Sequence, residues 1–222
     1  MGDEVISKGI IKVIGTHHFI EEKQIRDEIE SFNPSIVLLE LCNGRITLIE
    51  HPEFKQQKQK FSLLSLISKA IRKKASKEGK EYGSDLISAY KISKEKQIKI
   101  GLIDRPVVET QVFFSAIPFK EKLTMINELR KFSKNKIQIQ DIINEVENTN
   151  TEEILSKLKL KCPNLFYYLV SSRDEYMINK IKGYLYDYPN EKILIFVGKG
   201  HEESIKKRLK LNAGVENVLL ER

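Results

Sequence analysis

Residues 10–18 read IIKVIGTHH, and residues 193–201, near the other end of the chain, read ILIFVGKGH. In both segments a short apolar run is followed by glycine, two further residues and histidine. Such a run is typical of a buried strand, and a glycine directly after it lets the backbone turn sharply. We therefore expect two strands that each present a histidine at the end, with His18 and His201 in equivalent positions and His17 as a neighbour.

The residues after the first segment predict a β-α-β unit. Residues 21–32 have apolar side chains at helical spacing, and Asn33-Pro34 ends that helix because the residue before proline avoids the α region. Residues 36–39 (Ile-Val-Leu-Leu) then read as a second buried strand. A short crossover of this kind predicts that the two strands run parallel.

Further strands and helices continue the alternation along the chain. We predict strands at residues 98–103 and 192–197, an edge strand at 215–220, and helices at 61–75, 84–96, 152–160, 163–186 and 202–209. The sequence therefore predicts an α/β fold, with a mainly parallel sheet built from two β-α-β-type halves and a large helical insertion.

The length of 222 residues suits one domain with a sizeable core. Within residues 1–222 we distinguish four parts. They are a first β-α-β unit at 1–50, a basic helical segment at 51–97, a strand plus helical region at 98–188, and a final β-α unit at 189–222.

The net charge of +7 is concentrated in one segment. Residues 51–81 contain eight Lys and one Arg against three Glu, so 9 − 3 = +6 of the excess lies there. A solvated helix face explains this most simply, and an acidic partner or an anionic membrane surface is the alternative. Because few aromatic residues accompany the lysines, we expect no nucleic-acid binding.

The N-terminus, the apolar runs and the cysteine spacing bear on the cellular location of the protein. The N-terminus lacks the basic and apolar regions of a secretion signal, and no apolar run approaches the ~18 residues that span a bilayer. Cys42 and Cys162 form no metal-finger spacing, and reduced thiols are the better expectation. We expect a cytoplasmic protein without a transmembrane segment, for which a homo-oligomer is a compatible assembly.

Polar residues follow each of the four main strand candidates. They are His17/His18, Glu40, Asp104/Arg105 and His201. Because ligands of parallel α/β sheets bind beyond the carboxyl ends of the strands, these groups should converge on one edge. Two histidines and one glutamate, here His18, His201 and Glu40, are a common ligand set for Zn, Mn, Co or Fe.

Structural explanations stand beside these functional ones. Glu40 could instead pair with Arg45 or cap the next helix, and Asp104-Arg105 could be a structural ion pair. Arg173 and Asp174 lie within a largely apolar helix, so they should be paired or face a site, with a solvated stripe as the alternative. A GxSxG elbow, a Walker loop, a GxGxxG fingerprint and an HExxH motif are all absent from the sequence, which excludes the function classes they mark.

These motifs together resemble the TraB/PrgY family of pheromone-shutdown proteins. That family is related to the Tiki metalloproteases, which act on Wnt proteins, and to GumN-type and erythromycin-esterase-like proteins. The similar segments are Gly15–His18 (family Gly-Thr-Ala-His), Val37–Arg45 (VELC-x-x-R), Leu102–Arg105 (IDRD), Ser172–Met177 (ERD-x-YM) and Val197–His201 (VGAGH). The departures are His17, Pro106, Ser172 and Lys199, of which Lys199 places a cation beside the second histidine.

The resemblance implies a fold with two equivalent halves and a divalent metal held by His18, Glu40 and His201. It implies catalytic roles for Glu40, Arg45, Arg173 and Asp174. Asp104, Arg105, Lys199 and Asp85 are assigned to substrate binding.

The expected function is a metal-dependent hydrolase of the TraB/Tiki type, acting on peptides. The alternatives are a non-enzymatic protein that sequesters a peptide or other small-molecule ligand in the same cleft, and a basic adaptor that binds an acidic partner through residues 51–81.

Overall fold

The computed structural model of the chain describes residues 5–16, 22–51, 53, 84–124, 127, 151–210 and 216–220. Within these residues, five strands form one sheet. They are β1 (Val5–Thr16), β2 (Ile36–Leu39), β3 (Lys99–Leu102), β4 (Lys192–Gly198) and β5 (Glu216–Leu220). Their order is β3-β2-β4-β1-β5, and all pairs are parallel except β1–β5, which is antiparallel. The predicted α/β class, with its mainly parallel sheet, is confirmed, and β5 is the expected edge strand.

Helices connect the strands and cover the sheet. They are α1 (Glu22–Phe32), α2 (Asn43–Glu50), α3 (Ser84–Glu95), α4 (Val107–Ala116), α5 (Thr151–Lys161), α6 (Pro163–Phe166), α7 (Ser172–Asp187) and α8 (Lys199–Arg208). A π-helical turn at Tyr167–Ser171 joins α6 to α7, and residues 119–124 are also helical. Pro163 begins the predicted long helix in its first turn, where a missing N–H costs nothing.

The two faces of the sheet have separate apolar cores because side chains of a strand alternate between faces. Ile193, Ile195 and Val197 of β4 belong to one core with residues of α7 and α8. Leu194 and Phe196 belong to the other core with residues of α1 and α3. The sheet is therefore the middle layer of an α/β/α arrangement, and its central strand β4 is buried on both faces.

Helix α1 shows how the local sequence sets an element. Ile25, Ile29 and Phe32 recur at helical spacing, and all three are buried against the sheet. Asn33 then takes a left-handed conformation (φ 50°), which is less costly for asparagine than for most residues, and Pro34 follows. The predicted helix and its end at Asn33-Pro34 are confirmed.

The predicted backbone turn at Gly15 is wrong. Gly15 and Thr16 continue strand β1, where they pair with Val197 and Gly198 of β4. Glycine is required here for a different reason, since a Cβ on Gly15 would lie 2.3 Å from Oε2 and 2.8 Å from Cβ of Glu202. The last helix also begins at Lys199 rather than Glu202, so His201 lies in its first turn.

Some predictions fall on residues outside the described ranges. They include the helix at 61–75, most of the basic segment 51–81, and both His17 and His18. Among the described helices, none is long and apolar enough to cross a membrane. Cys42 and Cys162 are buried free cysteines, as expected for reduced thiols.

Candidate functional site

The site lies at the carboxyl edge of the sheet, around the end of β4. Helix α8, which follows β4, packs on one face of the sheet, whereas α1 and α3, which follow β1 and β2, pack on the other. The chain thus leaves neighbouring strands towards opposite faces of the sheet, which is the kind of position at which ligands of α/β proteins bind. Glu40 follows β2, Asp104 follows β3 and His201 follows β4 at this edge, as the sequence predicts.

Glu40 lies directly after the end of β2, and each of its two carboxylate oxygens accepts a hydrogen bond. The backbone N–H of Gly198 donates to Oε2 at 2.6 Å, and Arg173 Nη2 donates to Oε1 at 2.5 Å. Burial raises the pKa of the Glu40 carboxyl, but the facing His201 and Arg173 and the Gly198 N–H together lower it to about 2. Glu40 is therefore an ionised, buried carboxylate at neutral pH, and its ion-pair partner is Arg173 rather than Arg45.

Arg173 is the central cation of the cluster. Its guanidinium binds Asp104 through two bonds, Nε to Oδ1 and Nη2 to Oδ2, both 3.0 Å long. Burial disfavours the charge, but the carboxylates of Glu40 and Asp104 outweigh that effect and raise the pKa of Arg173 above its ordinary value. The alternative of a solvated stripe on α7 is wrong, because Arg173 is mostly buried and paired.

His201 is oriented by Asp174, the neighbour of Arg173 on α7. Nδ1 of His201 lies 2.5 Å from Oδ1 of Asp174, and both side chains are buried. An ionised carboxylate can only accept, so Nδ1 donates; Nε2 then carries a lone pair when the imidazole is neutral and a proton when it is charged. Nε2 lies 3.4 Å from Arg173 Nη1 and 3.6 Å from Glu40 Oε1. The arrangement gives His201 one anchored nitrogen and one that faces the acidic centre.

Asp104 and Arg45 form the more open side of the cluster. Arg45, in the first turn of α2, places Nη2 3.6 Å from Asp104 Oδ2, and its side chain remains 43% exposed. Arg173, by contrast, is neutralised by two carboxylates. Of the two predicted catalytic arginines, Arg45 is therefore the one with a guanidinium available to a ligand.

Arg105 joins the end of β3 to the start of α7. Its Nη2 donates to the backbone oxygen of Ser172 at 2.6 Å and to the Ser172 hydroxyl at 3.0 Å, while its backbone N–H donates to Asp104. The guanidinium also stacks over the Phe113 ring, 4.5 Å from the centroid. Asp104 and Arg105 do not form an ion pair with each other through their side chains. Arg105 is buried and secures the two elements that carry Asp104 and Arg173.

Lys199 and Asp85, both predicted to bind substrate, share no hydrogen bond or ion pair with the cluster around Arg173 within the described residues. Lys199 forms an ion pair with Glu202 at 2.5 Å, and Lys206 donates to the same carboxylate. Burial raises the pKa of the Glu202 carboxyl, but these two lysines lower it below its ordinary value overall. Asp85 lies in the first turn of α3 and is fully buried, and neither of its carboxylate oxygens has a hydrogen-bond partner among the residues that the structure describes.

The described residues supply two donors suited to a divalent metal. Nε2 of His201 and Oε1 of Glu40 are 3.6 Å apart, within the span of two ligands that each lie ~2.0–2.2 Å from one ion. The bond from His201 Nδ1 to Asp174 is typical of metal-binding histidines, whose second nitrogen is held by a carboxylate. No group of three metal-binding side chains occurs within the described residues, and the third predicted ligand, His18, is not among them. The donor chemistry thus fits a metal, although Arg173 already contacts both donors.

The sequence did not identify three further contributors. The Gly198 N–H holds Glu40, Ser172 holds Arg105, and Glu202 approaches Gly15. Of these three, only the role of Glu202 could have been predicted from the sequence. Lys199 and Lys206, three residues before it and four residues after it, would lie on the same side of a helix as Glu202 and could pair with it.

Comparison with known proteins adds no assignment. No protein-family model matches the chain, and no curated protein shows significant similarity to it.

Proposed function

We propose that the protein is a metal-dependent hydrolase of the TraB/Tiki type that cleaves peptide bonds. The observation that carries the proposal is His201, whose Nδ1 is held by Asp174 and whose Nε2 faces the ionised Glu40 at the carboxyl edge of the sheet. The resemblance of five motifs to that family supports it, since four of the motifs meet in this cluster.

His201 and Glu40 would hold the metal, with His18 as the third ligand. When bound, a divalent ion would act as a Lewis acid on the scissile carbonyl. Asp174 keeps the His201 ring in one orientation and holds the proton on Nδ1, which leaves the lone pair of Nε2 for the metal. Arg45, the exposed guanidinium of the cluster, would bind the substrate carbonyl or carboxylate and steady developing negative charge.

The test is hydrolysis of a mixed peptide library by the full chain, with Mn²⁺, Co²⁺ or Zn²⁺ added and with EDTA as the metal-free condition. We expect metal-dependent cleavage that falls about 10²–10⁴-fold in His201→Ala. His51→Ala is the matched control because His51 is exposed beside Glu53 at the end of α2. Absence of cleavage under every metal condition would refute the hydrolase proposal.

A ligand-sequestering protein is the second candidate. The specific observation in its favour is that Arg173, Glu40 and Asp104 neutralise one another, so these groups are poorly placed for proton transfer. The exposed guanidinium of Arg45 remains available to a ligand. In that case wild-type protein would bind peptides from the same library without cleaving them, and Arg45→Ala would weaken the binding.

A further inference from the structure

We infer that Arg173 is a built-in competitor of the metal, so that a divalent ion can bind Glu40 and His201 only when the Arg173–Glu40 contact opens. The inference rests on the proposed metal-dependent function and adds a control element within the same site.

Arg173 lies against both donor atoms that the metal would use. Its Nη2 is 2.5 Å from Glu40 Oε1 and its Nη1 is 3.4 Å from His201 Nε2, while these two acceptors are 3.6 Å apart. The guanidinium therefore contacts the two positions from which a metal would be bound. A second cation placed there would be repelled by Arg173, and the repulsion is strong because the surroundings are buried.

Asp104 would keep Arg173 bound after the Arg173–Glu40 contact is broken. Two bonds of 3.0 Å join Arg173 to Asp104, whereas one bond joins it to Glu40. Loss of the Glu40 contact would leave the bidentate pair with Asp104 intact, which is the stronger geometry for an arginine and a carboxylate. Meanwhile Asp174 keeps His201 anchored. The cluster thus has a metal-free arrangement and a second arrangement that differs by one ion pair.

Metal binding itself provides the test, without any assay of activity. Isothermal titration of the full chain with Mn²⁺, Co²⁺ and Zn²⁺ at pH 7 would give Kd for the wild type, Arg173→Gln and Arg173→Lys. We expect Arg173→Gln to bind at least about tenfold more tightly, since removing the adjacent charge removes the repulsion. Arg173→Lys should lie between the two, because lysine retains the charge but cannot hold both carboxylates at once.

Two controls make the result specific. Arg26→Gln removes a partly exposed arginine that is paired with Glu95, and its Kd should equal that of the wild type. Glu40→Gln should weaken metal binding in both the wild-type and the Arg173→Gln background, which shows that the ion binds at this site. Circular dichroism reports whether each variant is folded, and a folded Arg173→Lys decides the question if Arg173→Gln does not fold.

The outcomes separate the inference from the proposed function. Tighter binding by the Arg173 variants, including binding seen only in them, supports the competition. Metal binding with a wild-type or weaker affinity in a folded Arg173 variant overturns the inference and leaves the metal-dependent function standing. If neither the wild type nor any folded variant binds a metal, the metal-dependent function fails and the inference fails with it.

Discussion

Replacing Glu40 by glutamine tests the electrostatic centre of the site without changing its shape. Glu40 accepts bonds from the Gly198 N–H and from Arg173, and its carboxylate is buried. Glutamine has nearly the same volume but carries no charge and does not titrate. The comparison of the two proteins therefore isolates the free energy linked to ionisation of this one group.

The pKa of Glu40 sets the size and the sign of the effect. Its value of about 2 in the folded chain, against an ordinary value of 4.5, corresponds to about 3 kcal/mol of folding free energy at neutral pH. Because the folded pKa is the lower one, this stabilisation is present above the unfolded pKa and is lost as the pH falls towards 2. About 2 kcal/mol of it should be lost between pH 7 and pH 3.

Urea denaturation at pH 7, 6, 5, 4 and 3 measures this contribution. The free energy of unfolding of the wild type should fall by about 2 kcal/mol more than that of Glu40→Gln over this range. The pH dependence contributed by the other carboxylates is largely shared by the two proteins. Glu203→Gln, which alters an exposed position on α8, should follow the wild type.

A constant difference between the wild type and Glu40→Gln across the pH range would refute the reasoning. It would mean that Glu40 has the same pKa in the folded and the unfolded chain, so that its contacts with Arg173 and Gly198 do not favour the ionised form.

Substitutions at two glycines and at Asp174 test other parts of the structure. Gly15→Ala should lower the free energy of unfolding by about 1–3 kcal/mol in thermal or urea denaturation, because the new methyl group meets the Glu202 side chain. Gly183→Ala is its control: an added Cβ meets nothing within 4 Å in helix α7, so this variant should be more stable by about 0.5–1 kcal/mol. Asp174→Asn should lower kcat for peptide cleavage by about 10–100-fold with little change in KM, because His201 loses its orienting carboxylate; an unchanged kcat and pH profile would show that Asp174 is only structural.

The sequence predicted the groups that follow strands far better than those that come from helices. Glu40, Asp104 and His201 each follow an apolar run, and parallel strands must end at one edge, so their convergence was foreseeable. The contacts of Arg173 and Asp174 were not, because they depend on how α7 lies across the sheet. The pattern of α7 required only that charges within an apolar helix find partners.

One wrong expectation and one unforeseen contact have the same cause. Glycine after an apolar run suggested a turn at Gly15, yet Gly15 remains in strand β1 and avoids Glu202 of α8. The ion pair of Lys199, which is predicted to bind substrate, with the same Glu202 was not foreseen. Both depend on α8 beginning directly after Gly198, a boundary that local sequence patterns locate only to within a few residues.

The π-helical turn at Tyr167–Ser171 sets the angular phase of the helix that carries the site. Each residue of an α-helix advances the direction of the side chains by about 100°, and a π-helical turn inserts one extra residue into that count. Beyond the turn, α7 is held by Met177, Ile181 and Leu185 in the core, while Leu165 before it packs in a separate apolar cluster. If one residue were removed from the turn, the side chains of α7 would be rotated by about 100° relative to Leu165, and the two apolar clusters could not both form. The extra residue thus lets one continuous helix satisfy two independent packing requirements while Arg173 and Asp174 remain directed at the carboxyl edge of the sheet.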